Sequence, residues 1–286
     1  MRLAICLLLL VPALFSSCKK DDIDYVMEEK NYVNLSYGPD NAQKLDLFLP
    51  AGRTSETKLL VFVHGGGWND GDKSDYSMVL QQLQNMDIAI ANINYRLADA
   101  GKGILLPQLQ EDVRSAVDYL ADNSSKYVYS DAKIILAGHS AGGHLALFTA
   151  YTNNADGLIK AVISLAGPTD LTDPYFQYNT DLNALIENMA GIAYSANAQV
   201  WVNDSPIHYV QSDVVPTLLQ YCGLDFTVPY TQGEELHEEL DEVGAENTYL
   251  LYPYYGHDMG TINNYGFLPS DVLADLRSFI DAHAND

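Results

Sequence analysis

The sequence predicts an α/β fold: one mostly parallel eight-stranded sheet with helices on both faces and a small cap inserted in its second half. Three observations predict it. From about residue 32 onward, short β-type runs alternate with helix-type runs, the order expected of a sheet layered between helices. Most of the β-type runs are almost continuously apolar, as strands buried on both faces are. Residues 167–213 are too many for a simple connection and hold a helical segment of their own near 181–190, so they read as a cap over a pocket.

Taken in order, the first two runs, 32–37 and 44–49, alternate apolar and polar residues and read as an antiparallel hairpin at one sheet edge. Buried strands are then expected at 58–63, 88–93 and 132–137, with later strands at 161–165, 217–221 and 248–252. Helices are expected near 75–85, 107–122, 141–152, 231–243 and 269–283; Pro107 and Pro269 stand where a first helical turn tolerates proline. The chain shows no internal repeat and no low-complexity tract.

With 286 residues and 48% hydrophobic content, the chain supplies a substantial core for one folded domain over 31–286. Its formal charge of −23, from 15 basic and 38 acidic residues, repels phosphate backbones and anionic headgroups, so no nucleic-acid partner is expected. Residues 1–17 place one positive charge, Arg2, before a short apolar run. That layout is a secretory signal, too short for a permanent span. Leu14-Phe15-Ser16-Ser17-Cys18 resembles a bacterial lipoprotein box, with Cys18 as the lipidated residue and 18–30 as a polar tether. The following Lys19-Lys20-Asp21-Asp22 is similar to signals that send lipoproteins to the outer surface. The expectation is an exported outer-membrane or cell-surface lipoprotein of a Gram-negative bacterium, touching the membrane only through its anchor. An ordinary cleaved signal with an incidental cysteine is the alternative. Cys222 is then the one cysteine left in the domain, expected buried and outside any intrachain disulfide.

The chemistry centres on Gly138-His139-Ser140-Ala141-Gly142-Gly143, directly after an expected buried strand and opening a helix. Small flanking residues allow the sharp turn that leaves a serine hydroxyl exposed at a strand end. A second motif, His64-Gly65-Gly66-Gly67-Trp68, follows the strand ending at Val63. Consecutive glycines let N–H groups converge on an oxygen that becomes negative, so Gly66 and Gly67, with the N–H of Ala141, form a candidate oxyanion hole. A glycine-rich turn chosen for flexibility alone is the plainer reading of the loop.

The pair of motifs resembles the α/β-hydrolase fold, in the branch of bacterial carboxylesterases that includes feruloyl- and acetylxylan-esterase-like proteins and is related to hormone-sensitive lipases. Gly71-Asp72-Lys73-Ser74, Ile93-Asn94-Tyr95-Arg96-Leu97 and Asp204-Ser205-Pro206-Ile207-His208-Tyr209 extend the similarity over about residues 40 to 283. It departs from the family at Asn94, where aspartate is frequent, and at Ala98-Asp99-Ala100, where Pro-Glu is common.

The resemblance implies a triad in the chain order serine, acid, histidine. Gly223-Leu224-Asp225-Phe226-Thr227-Val228-Pro229 is similar to the family's G-x-x-D-x-x-V-P segment in its D-x-x-V-P part, with one residue fewer after the glycine, and makes Asp225 the acid; Tyr255-Gly256-His257 supplies the base. Asp170 is the main rival for the acid, otherwise the N-terminal cap of the short cap helix, and Asp258 a lesser one. His208 precedes the acid, His237 lies among glutamates in a helix and His283 is terminal. The implied reaction is ester hydrolysis through an acyl-Ser140 intermediate, with no metal or organic cofactor. Small or carbohydrate-linked acyl esters are the expected substrates, with plant-type polysaccharide decorations suggested by the resemblance. Trp68 and Tyr95 are candidate substrate contacts; Tyr175, Phe176, Tyr178 and Trp201 are further aromatics placed either there or in the core. Three alternatives stay open: a formamidase on the same motifs, a peptidase-like serine hydrolase, and a surface binding protein that keeps the fold without activity.

Overall fold

The computed structural model describes residues 26–260 and 267–283. The expected signal and Cys18 lie outside the described residues. Eight strands form one sheet: β1 (Lys30–Ser36), β2 (Lys44–Leu49), β3 (Leu59–Val63), β4 (Ala89–Ile93), β5 (Ile134–His139), β6 (Ile159–Leu165), β7 (Thr217–Cys222) and β8 (Asn247–Tyr252). Their spatial order is β1-β2-β4-β3-β5-β6-β7-β8. Strand β2 runs antiparallel to both β1 and β4, and every other pairing is parallel. The hairpin at the edge and the parallel body both follow the sequence pattern.

Helices connect the strands: α1 (Ser77–Leu83), α2 (Leu106–Asp122), α3 (Ser124–Tyr127), α4 (Ala141–Thr152), α5 (Pro174–Tyr178), α6 (Thr180–Ala190), α7 (Ala198–Asn203), α8 (Thr231–Val243) and α9 (Ser270–His283). The two-residue period of a strand divides the core into two layers. On β3, Leu59, Val61 and Val63 pack with residues of α2, α4 and α8, such as Val113, Leu145 and Leu236. Leu60 and Phe62 point the other way, against Leu80 of α1 and Leu276 of α9. Burying side chains of this size contributes about 1.5–3 kcal/mol each. Cys222 is fully buried beside Met259, and burial pushes its thiol up to about 12.

The stretch 167–213 carries α5, α6 and α7. Here one expectation is corrected. Asp173, not Asp170, caps the first of these helices, its side chain accepting from the Tyr175 N–H. Pro174 sits at the first helical position, which leaves the residue just before it to cap. Asp170 instead closes a local turn, accepting from the Thr172 N–H at 2.8 Å and its hydroxyl at 2.7 Å. Asn94, the departure from the family's aspartate, is also accounted for. Its Oδ1 accepts from the Lys73 N–H and its Nδ2 donates to Asp72, both at 2.6 Å, whereas an aspartate carboxylate only accepts.

The parallel strands all end on one edge, and register decides what meets there. Val63 pairs with Gly138, His139 with Leu165, and Cys222 with Tyr252. The loops after β3, β5, β7 and β8 therefore leave side by side, where parallel sheets place their ligand sites. Helix α4 can press on this edge because Gly142 has no side chain: a Cβ there would lie 2.1 Å from the Val63 carbonyl oxygen. In an open helix Gly→Ala gains about 1 kcal/mol. Gly142→Ala is expected instead to lose about 1–3 kcal/mol through overpacking, read from urea denaturation; a gain would show that the contact does not hold α4 in place.

Candidate active site

Strand β5 ends at His139 and α4 begins at Ala141, so Ser140 alone makes the turn between them. It does so with φ 54° and ψ −125°, a conformation that costs a non-glycine residue about 1–3 kcal/mol. Two main-chain bonds hold it there: the Ser140 N–H donates to Leu165 O at 2.8 Å, and the His144 N–H donates to Ser140 O at 3.1 Å. The hydroxyl is left pointing out of the sheet edge.

Ser140 Oγ lies 2.8 Å from Nε2 of His257, whose Nδ1 lies 2.7 Å from Oδ2 of Asp225. A carboxylate only accepts, so Nδ1 carries the proton and Nε2 turns its lone pair to the serine hydroxyl. Asp225 is fixed in turn: its Oδ1 accepts from the N–H groups of Thr227 at 2.8 Å and Val228 at 2.9 Å. Its side chain is fully buried, whereas the imidazole is 24% exposed. Asp170 faces a different, acidic hollow with Glu235, Glu238 and Glu239. Asp258 bonds the Gly260 N–H at 3.1 Å. A nucleophile, a base and a buried carboxylate in this sequence are equipped for acyl transfer.

The glycine loop passes over the same hydroxyl. Gly66 takes φ 120°, outside the reach of other residues without strain, and its carbonyl accepts from the Asp70 N–H at 2.9 Å. The turn leaves Gly66 and Gly67 lining a cavity with Ser140 and Ala141. As the first residue of α4, Ala141 presents one of the amides that a helix start leaves without an intrahelical partner. Trp68, also at positive φ (64°), is tied down from both ends. The Ala98 N–H donates to its carbonyl at 2.8 Å, and its indole N–H donates to Nδ1 of His144 at 3.2 Å. His144 Nε2–H donates to Asp204 O at 2.8 Å, joining α4, the glycine loop and the end of the cap in one line. Burial lowers the His144 imidazole to about 4, so it stays neutral and keeps an acceptor for Trp68.

The cavity has a volume of about 270 Å³. Trp68 lines it, together with Phe176 of α5, Leu182, Leu185 and Ile186 of α6, and Val228. Tyr95 does not, and its expected role as a substrate contact is corrected. It is 1% exposed, stacks on His64 at 4.4 Å and donates its hydroxyl to His64 O at 3.0 Å, so it supports the glycine loop from behind. Trp201 is core, Tyr178 points to solvent, and Tyr175 bonds the Phe226 carbonyl at 2.5 Å. The lining by α6 escaped sequence reasoning, although Leu182, Leu185, Ile186 and Met189 follow the spacing of one helical face. Among the described residues, no group of three or more His, Cys, Asp or Glu side chains is placed to hold a metal.

The chain matches the BD-FAE family over residues 45–240. It is 25% identical over 270 residues to isoprenylcysteine alpha-carbonyl methylesterase ICME of Arabidopsis thaliana, covering 88% of this chain and 62% of that protein. It is 27% identical to esterase LipC of Mycobacterium tuberculosis, covering 90% of this chain and 65% of that one. The chain thus spans less than two thirds of either relative. Kynurenine formamidase of Salmo salar matches at 25% identity, over 78% of this chain and 82% of its own length. Among solved structures, a truncated carbohydrate esterase from gut microbiota superposes with TM-score 0.78 at 22% identity, over 90% of this chain and 97% of that one. Esterase B of Lactobacillus rhamnosis gives 0.73 at 20% identity, over 90% of this chain and 86% of that one. At these identities the structures share the α/β-hydrolase fold.

The His144 link has a consequence for stability. A histidine free in the unfolded chain binds a proton near pH 6.5, whereas the buried one resists until about 4. The unfolded state therefore binds more protons between those values, and the imidazole's contribution, complete above 6.5, is lost as pH falls through the window. His144→Gln removes the titration. The stability advantage of wild type over this variant is expected to shrink by about 2 kcal/mol between pH 7 and pH 5, compared in paired urea titrations; a constant gap would mean that His144 is not held neutral.

Proposed function

The chain belongs to the BD-FAE family of α/β-hydrolases, and on that premise we propose that it is a serine carboxylesterase acting through Ser140, His257 and Asp225. The observation that carries this reading is the unbroken line from Asp225 through His257 to the Ser140 hydroxyl, at 2.7 and 2.8 Å. His257 takes the hydroxyl proton as Ser140 Oγ attacks the ester carbonyl, while Asp225 stabilises the imidazolium that forms. The carbonyl oxygen becomes negative beside the amides of Gly66, Gly67 and Ala141, each such donor being worth about 3 kcal/mol in comparable sites. The alcohol leaves with the proton from His257. Water, activated by the same imidazole, then releases the acid and restores Ser140.

The cavity supports a compact acyl group. Its 270 Å³ fall near the lower end for small-molecule sites, and the apolar face of α6 closes it. Carbohydrate-linked acyl esters are the proposed natural class. Two observations support that class: the resemblance to a carbohydrate esterase and the exposed aromatics Phe226 and Tyr254 on the loops that carry Asp225 and His257. A second reading, hydrolysis of an N-formyl amide, is favoured by the formamidase match; turnover of formyl anilides with none of acyl esters would select it. Export with a lipid on Cys18 is proposed from residues 1–20.

Two measurements test the proposal. On nitrophenyl acetate and butyrate, Ser140→Ala and Asp225→Asn are each expected to lose about 10⁴-fold or more in kcat, while Asp170→Asn stays within about threefold of wild type. Loss in Asp170→Asn alone would reassign the acid. Leu185 stands over Gly67, its Cδ1 2.9 Å from where a Cβ of residue 67 would be. Leu185→Trp is therefore expected to reduce butyrate turnover about tenfold relative to acetate; an unchanged ratio would place the acyl group elsewhere.

A further inference from the structure

We infer that His139, the residue before the nucleophile, is a positioning residue: held by Tyr76, it fixes the main chain of His257 and ties it to the glycine loop. The inference rests on the serine-esterase reading and goes beyond it, because His139 and Tyr76 have no part in the proton path from Ser140 to Asp225.

Three hydrogen bonds carry it. His139 Nε2 lies 2.6 Å from the carbonyl oxygen of His257, Tyr76 Oη lies 2.8 Å from His139 Nδ1, and the Gly65 N–H donates to Tyr76 Oη at 3.2 Å. Their polarity has one solution. A carbonyl accepts, so Nε2 carries the imidazole proton; Nδ1 is then an acceptor, and the Tyr76 hydroxyl donates to it while receiving the Gly65 amide. This order requires a neutral ring, and burial, followed by the nearby His257, lowers His139 to about 3. The chain therefore runs one way, from the oxyanion loop to the base.

The reason such a tie matters lies in the loop that carries His257. Strand β8 ends at Tyr252, five positions earlier. The Tyr255 N–H donates to Tyr252 O at 3.3 Å and the Met259 N–H to Gly256 O at 3.0 Å, both within the loop; Tyr255 O accepts from the Leu224 N–H at 2.9 Å. Among the described residues, the carbonyl of His257 is bonded only by His139. Asp225 sets the rotation of the imidazole, while His139 sets where its backbone stands. The same residue opens the turn into Ser140, so base and nucleophile are referred to one point on β5. A displacement of about 1 Å at such a site costs about 100-fold in rate.

Kinetics on nitrophenyl butyrate with His139→Phe, His139→Gln and Tyr76→Phe test this. The amide nitrogen of glutamine reaches the place of a histidine Nε2, so His139→Gln keeps the donor to the His257 carbonyl. His139→Phe is expected to lower kcat about 30- to 100-fold with KM within about twofold, His139→Gln to recover kcat to within about fivefold, and Tyr76→Phe to fall between. A kcat in His139→Phe within twofold of wild type overturns the inference, as does an equal loss in His139→Phe and His139→Gln. Should His139→Phe not fold, an undiminished kcat in Tyr76→Phe overturns it equally. Ser140→Ala keeps the two readings apart. If it is as active as wild type, the serine-esterase reading fails; if it is inactive while His139→Phe is not impaired, only the positioning role fails. Independently of turnover, the downfield Nδ1–H resonance of His257 is expected to be sharp in wild type and His139→Gln and broadened in His139→Phe, and equal line widths contradict the tie.

Discussion

The positive-φ backbone of Ser140 is the constraint on which the rest of the site depends. At φ 54° the chain leaves a strand and enters a helix within one residue, which lifts the hydroxyl out of the sheet edge and presents the Ala141 amide beside it. That conformation is unfavourable for serine by itself and persists because its surroundings over-determine it. The Leu165 carbonyl accepts its N–H, the His144 N–H in the first turn of α4 donates to its carbonyl, and α4 lies against the Val63 carbonyl with no room for a side chain at Gly142. Strain at one residue is thus offset by packing spread over β3, β5 and β6.

From that fixed point the other parts are placed by register and by long side-chain bonds. Parallel pairing brings four loops to one edge. Trp68, His144 and the Asp204 carbonyl join the glycine loop to α4 and to the cap, and His139 with Tyr76 joins it to the base. Both links use imidazoles that burial keeps neutral, so each ring has one donor and one acceptor with a fixed direction. Helix α6 closes the cavity from the cap side with aliphatic groups, leaving polar character where the reacting atoms would lie.

Much of this was legible in the sequence because it is written in local backbone chemistry. Continuous apolar runs announce buried parallel strands, and the spacing of small residues around Ser140 announces the turn. The boundaries of α4 and α8 follow the sequence reading to the residue. What was not legible depends on tertiary direction. Tyr95 follows the strand Ala89–Ile93 as a site residue would, yet faces the back of the glycine loop. Asp170 and Asp173 both suit a helix start, and there the sequence did carry a deciding signal, Pro174 at the first helical position. The contact of Tyr76 with His139 spans 63 positions and that of His139 with His257 spans 118; no periodicity or motif joins residues so distant.

Every step of the chemistry depends on an activated Ser140 in the folded protein. Mass spectrometry after exposure to a fluorophosphonate, whose phosphorus bonds to an activated serine oxygen as fluoride leaves, measures this without any choice of ester substrate. One phosphonyl group per chain is expected, mapped to the peptide containing Ser140 and absent when His257 is replaced by alanine. No adduct, or an adduct on a different serine, would contradict it.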